Sequence, residues 1–193
     1  MGEGYMAIRV YIDQGHNPVN PNAGAEGNGY REQDIVYRVG QALYSILSAD
    51  PNFEARLSRP TPGTVLGVSN TDSLRLRVAG AVDFGADLFL SIHTNAAADP
   101  TAGGSEALVF SAASPSYLIA EALLVGVTDA TGFRNRGVRL RPGLYVLRRT
   151  PMPAVVLELG FITNPREARY MYENPSLFAR GIYNGLRAYY GLS

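Results

Sequence analysis

Cysteine is absent from the 193 residues, which removes disulfides, thiolate metal sites and cysteine nucleophiles together. Any metal must then be held by His, Asp or Glu. An excess of charge is missing too. The 17 basic side chains balance 17 acidic ones, so no global field draws the chain onto nucleic acid or an anionic membrane. Neither is expected as a partner. The opening "MGEGYMAIRVYID" lacks a basic segment followed by an apolar stretch of signal-peptide length, so no signal peptide is visible. The apolar runs are too short and too often interrupted for a membrane-spanning helix, and a soluble protein is expected. Histidine occurs only twice, as His16 in "YIDQGHNP" and His93 in "DLFLSIHTNA".

What is present reads as one domain over residues 1–193, because 46% hydrophobic content in this length fills one core and falls short of two. Residues 8–13 read as a strand, followed by a Gly/Asn/Pro-rich loop and a helix over 30–47 with apolar residues at 35, 36, 39, 43, 46 and 47. A second strand is expected at 52–59. Next comes a helix that opens on a Ser or Asn cap near 69–70 and stops at Gly85. Strands at 87–93 and 105–111 follow, then a helix from about 116 to 131 with Pro115 near its first turn. "GLYVLRR" (143–149) and "AVVLELGFI" (154–162) read as the last two strands, and two helices close the chain. The pattern predicts a three-layer α/β sandwich with a six-stranded, mostly parallel sheet covered by helices on both faces.

In such a sheet, ligands bind beyond the carboxyl ends of the strands, where both histidines fall. A lone histidine is commonly a structural group with ordinary partners, but two at neighbouring strand ends suggest a shared metal. Glu32 is the preferred third ligand. It lies on the first turn of the 30–47 helix, four residues before Val36 and seven before Val39, hence on the apolar stripe. The alternative is a carboxylate that caps free N–H groups at the helix start. Asp13 and Glu26 rank below it as rival ligands. Glu158 is the second anomaly, a carboxylate inside the doubly apolar "AVVLELGF", costly to bury unless something pairs with it. That partner is either an arginine such as Arg136 or Arg148, or a metal with its water. Two histidines and a glutamate with an open position form a recurrent catalytic zinc set, and a further glutamate can take a proton from the attacking water.

These residues carry a family resemblance. Through "IDQGHNPVNPNAGAEGNGYREQDI", "GADLFLSIHTNA", "GGSEALVF" and "RGVRLRPGLYVLRRTPMPAVVLELGFITNPRE", the chain resembles the zinc-dependent type-3 N-acetylmuramoyl-L-alanine amidases, cell-wall hydrolases of bacteria and phages. The resemblance implies Zn²⁺ held by His16, Glu32 and His93, with Glu158 as the catalytic glutamate. It also implies hydrolysis of the amide between the lactyl group of N-acetylmuramic acid and L-alanine of the stem peptide. Peptidoglycan, or a muramoyl-peptide derived from it, is then the substrate, and an extracellular or cell-envelope location and a monomer are expected. Arg77 keeps the family arginine. The loop after His16 departs from the family, with "NPVNPN" in place of a second glycine and an aspartate, which bears on substrate preference. Asn95 is either a helper donor or a fixer of its loop. Two competing activities are a zinc carboxypeptidase on wall peptides and a non-catalytic wall-binding module of the same fold. Retention of Glu158 argues against the second.

Overall fold

A computed structural model describes residues 6–192. Residues 1–5, which belong to the opening segment judged to lack a signal peptide, lie outside it. The chain runs β1 (Ile8–Gln14), β2 (Glu26–Gly27), β3 (Tyr30–Arg31), α1 (Glu32–Ser48), β4 (Phe53–Leu57), α2 (Asn70–Phe84), β5 (Leu88–Asn95) and β6 (Ser105–Val109). It continues through α3 (Pro115–Thr131), β7 (Asn135–Leu140), α4 (Tyr145–Arg149), β8 (Ala154–Phe161), α5 (Pro165–Glu173) and α6 (Pro175–Tyr190). The central sheet has six strands in the order β4-β1-β5-β8-β6-β7, with β2 and β3 forming a separate two-stranded ribbon. Strands β4, β1, β5 and β8 are mutually parallel, β6 runs antiparallel to β8, and β7 is parallel to β6. The amino ends of β6 and β7 therefore lie at the same edge as the carboxyl ends of β1, β5 and β8.

Helices cover both faces, as the alternation of apolar runs predicts. Ile35, Val39 and Leu43 of α1, Leu123 and Val127 of α3, Met171 of α5 and Phe178 and Ile182 of α6 share one core with Ile12, Leu90 and Leu157. On the opposite face Val78, Ala81 and Phe84 of α2 and Val146 and Leu147 of α4 pack against Tyr11, Phe89, Leu108 and Val156. Among the described residues, no helix is long and apolar enough to cross a membrane. Helix α2 begins at Ser69, whose side chain accepts from the Asp72 N–H, and ends at Gly85 with φ 67°, a left-handed stop that costs glycine little.

The strand expected at 143–149 is a helix instead, α4, and the sixth strand is β7. Two backbone patterns misled. "GLYVLRR" has the aromatic and β-branched content of a strand, but only five of its residues form one helical turn, with Val146 and Leu147 buried beneath it. "NRGVRL" pairs at the sheet edge through backbone groups while its side chains stay largely outside the core, so it shows little apolar alternation.

Candidate metal centre

Three segments deliver the site. β1 runs out at Gln14, and Gly15 lets the chain pass close to the ring of His93: a Cβ there would lie 2.5–2.8 Å from three of its ring atoms. His16 then adopts φ 63°, a left-handed conformation that a non-glycine residue holds only when its surroundings enforce it. Arg77 enforces it. Its guanidinium, buried at 1% exposure, donates to the carbonyls of Gln14 (2.7 Å) and His16 (2.6 Å) and to the carboxylate of Asp13 (2.6 Å). Asp13 is closed on its other oxygen by the hydroxyl of Ser91 at 2.7 Å. The rival ligand Asp13 is thus committed to holding the strand end, and Glu26 is exposed beside Arg31.

Glu32 is the first residue of α1, and its carboxylate turns away from the helix's own N–H groups. One oxygen accepts from the Thr94 N–H (2.9 Å) and lies 3.0 Å from Nδ1 of His93; the other accepts from the Ala25 N–H (2.9 Å) and lies 3.2 Å from Nε2 of His16. The capping alternative does not hold. The two imidazoles meet edge to face with ring centres 4.8 Å apart. His16, Glu32 and His93 each present one ligand atom within 4.8 Å of the others.

The donor chemistry fits a divalent cation. Neutral imidazole and carboxylate are the ordinary ligands of zinc, and two such atoms on one tetrahedral zinc stand about 3.3 Å apart. The 3.0 and 3.2 Å contacts are of that size. The electrostatics point the same way. Burial opposes ionisation of Glu32, yet hydrogen bonds and charges from His16 and His93 hold its carboxyl well below the usual range. Burial likewise opposes protonation of His93, but Glu32, backed by Glu158 and Asp13, pushes the imidazole up to about 8. The cluster therefore attracts positive charge strongly, and a metal ion would compete with protons for these same atoms.

Glu158 sits on β8 directly across from His93 of β5 on one side and Glu106 of β6 on the other. Two carboxylates facing across adjacent strands repel, and each needs an answer. Glu106 has two: the Asn95 amide donates to one oxygen at 2.9 Å and Arg136 to the other at 3.0 Å. Glu158 has none among the described residues, and its buried Oε2 lacks any hydrogen-bond partner. Burial, partly offset by His93 and reinforced by Glu32 and Glu106, pushes its carboxyl up to about 7. Neither arginine expected beside it pairs with it. Glu158, His16 and His93 open onto a shared cavity of about 230 Å³, also lined by Leu74, Leu108, Val146 and Val156. An unanswered carboxylate with a proton affinity near neutrality, aimed into a cavity beside a cation-binding cluster, can exchange a proton with a water molecule there.

The sequence model of one family, N-acetylmuramoyl-L-alanine amidase, matches residues 10–188, from within β1 to within α6. The chain belongs to this amidase family. The N-acetylmuramoyl-L-alanine amidase CwlM of Bacillus licheniformis is 31% identical over 189 residues, covering 96% of this chain and 70% of its own. The sporulation-specific N-acetylmuramoyl-L-alanine amidase of Bacillus subtilis is also 31% identical over 189 residues, covering 96% and 69%. Among solved structures, the catalytic domain of CwlV from Bacillus (Paenibacillus) polymyxa superposes with a TM-score of 0.84 at 29% identity, covering 96% of this chain and 99% of that one. An amidase from Clostridium difficile 630 gives 0.85 at 28%, with 96% and 97% covered.

Two parts of this amidase's site escaped the sequence reading. The Asp13–Arg77 pair was signalled only by Arg77 standing four residues after Ser73 and four before Ala81, on the buried stripe of α2. Glu106 gave a similar hint as the one charge in "SEALV", a strand buried throughout.

Proposed function

We propose that this amidase domain, acting as one catalytic unit over residues 1–193, binds Zn²⁺ through His16, Glu32 and His93 and hydrolyses the amide joining the lactyl group of N-acetylmuramic acid to L-alanine of peptidoglycan stems. The observation that carries the reading is the unanswered carboxylate of Glu158 facing the His16–Glu32–His93 cluster across a common cavity. Zinc, when bound, polarises a carbonyl and lowers the pKa of water. Glu158 takes a proton from the water that adds to the scissile carbonyl carbon. It returns that proton to the alanine nitrogen as the C–N bond breaks. Arg77 holds the backbone of His16 in place throughout. Every residue invoked comes from one chain, consistent with work as a monomer, and the substrate places the activity in the cell envelope or outside the cell.

The test is release of new L-alanine amino groups from purified peptidoglycan and from a muramoyl-peptide, with zinc content measured on each sample. Wild type should cleave. Glu158→Gln should keep its zinc and lose activity by about 10²–10⁴-fold, the usual worth of a general base. Release of a terminal amino acid instead would identify a carboxypeptidase. Tight wall binding without turnover, indifferent to Glu158→Gln, would leave a binding module.

A further inference from the structure

A row of side chains crosses the sheet from the metal cluster outward. His93 of β5, Glu158 of β8 and Glu106 of β6 are register neighbours. Arg136 of β7, hydrogen-bonded to Glu106, continues the row at the sheet's edge. Arg136 also forms the inner wall of a second and larger cleft, about 580 Å³, bounded by the start of β6, the end of α3 and the start of α5. Arg134 and Arg166 line it as well.

The acids and the arginines lining this cleft are not paired with one another. Its two acids are spent on local backbone: Asp99 accepts from the N–H and hydroxyl of Thr101, and Glu167 accepts from the N–H groups of Gly104 (2.7 Å) and Phe161 (2.8 Å). Arg136 is occupied by Glu106 and the Gly103 carbonyl. Arg134 and Arg166, both exposed, make no ion pair among the described residues, so two guanidinium groups line the cleft without a paired carboxylate. The sequence contains no lysine, so its basic groups are all planar forks suited to paired contacts with a carboxylate.

Distance gives the ligand its place. Adjacent strands stand about 4.8 Å apart, which puts β7 about 10 Å from β8 and Glu158. An extended peptide advances about 3.3–3.6 Å per residue, so a stem leaving the scissile amide along this row reaches Arg136 after about three residues. We infer that the cleft is a subsite for the carboxylates of the stem peptide beyond L-alanine, with Arg134 and Arg166 as the groups that meet them. This rests on the amidase reading and extends it from the bond cut to the stem recognised. Arg136 acts by fixing the wall between subsite and reaction centre.

The test uses the double variant Arg134→Ala/Arg166→Ala of the zinc-loaded protein, leaving Arg136 in place. Two substrates are compared: a muramoyl-tripeptide with free carboxylates, and a muramoyl-dipeptide with its carboxylates amidated. On the tripeptide, KM should rise about five- to tenfold with kcat unchanged, as expected for two solvated charge contacts. On the amidated dipeptide, wild type and variant should agree within about twofold. Equal effects on both substrates, or no effect on either, overturn the inference. Binding of the free stem tripeptide by calorimetry, at low and high salt, separates this inference from the activity. Tripeptide binding that weakens in the variant and with salt supports the subsite even if no amide is cut, in which case the amidase reading alone falls. Tripeptide binding that is undetectable in wild type, or indifferent to the substitutions, removes the subsite even where turnover is normal.

Discussion

At the scale of the residue, Glu158, the proposed proton carrier, is the group whose state links chemistry to stability. Its carboxyl is pushed up to about 7 in the fold against an ordinary 4.5 when the chain is unfolded. Between those values the native state holds a proton that the unfolded state has released, so the contribution of Glu158 to native stability falls as pH rises from about 4.5 to 7 and then levels. Glu158→Gln removes that titration. In the metal-free protein at pH 8 the variant should be more stable than wild type by on the order of 1–3 kcal/mol, the gap closing below pH 4.5. Urea unfolding with chelator across that range measures it, and a variant less stable than wild type at pH 8 would refute the account. Glu158 was legible in the sequence because a charge inside a doubly apolar strand has few explanations. Arg77 and Asp13 were not read as a pair, because what joins them is contact between α2 and β1, 64 residues apart along the chain.

At the scale of the element, the long strands and helices followed their periodicity, and the errors fell on short or edge segments. α4 and β7 show why. Neither buries enough side chain to impose a pattern, so the backbone of β7 pairs with β6 while its Arg136 serves the cleft and Glu106. The packing of α3 on α6 is a second feature hidden from periodicity, because it depends on residues with no side chain. A Cβ at Gly126 would stand 2.2 Å from the Gly181 carbonyl oxygen and 2.8 Å from the Gly185 nitrogen. Backbone cannot step aside as a flexible side chain does. Gly126→Ala should therefore cost about 1–3 kcal/mol despite alanine's better helix propensity. That corresponds to a melting point lower by about 3–10 °C for a chain of this size. Gly143→Ala, where an added Cβ meets nothing within 4 Å, is the matched control and should change little. Equal behaviour of the two variants would show that α3 and α6 are not held at backbone contact.

At the scale of the whole molecule, the cluster ties together the end of β1, the start of α1 and the end of β5, its proposed ligands separated by 16 and 61 positions in sequence. The sequence made the three ligand types visible, but their convergence depends on strand order, which places β1 beside β5, and on the β2–β3 ribbon that precedes Glu32. An ion bound there cross-links three segments in the native state and has no equivalent site in the unfolded chain, so its binding energy adds to folding stability. Zinc at 100 times its dissociation constant contributes about 2.7 kcal/mol, a rise in melting point of roughly 5–10 °C that chelation should reverse. His16→Ala, Glu32→Ala and His93→Ala should each abolish this response. Glu158→Gln should keep it, because Glu158 faces the cluster across the cavity and lies outside the ligand set. Differential scanning calorimetry with metal analysis separates the alternatives. A wild type that melts at one temperature with and without bound zinc would mean that the cluster does not bind the ion through the native fold. A Glu158→Gln protein that loses the response along with the three ligand variants would move Glu158 from proton carrier to ligand.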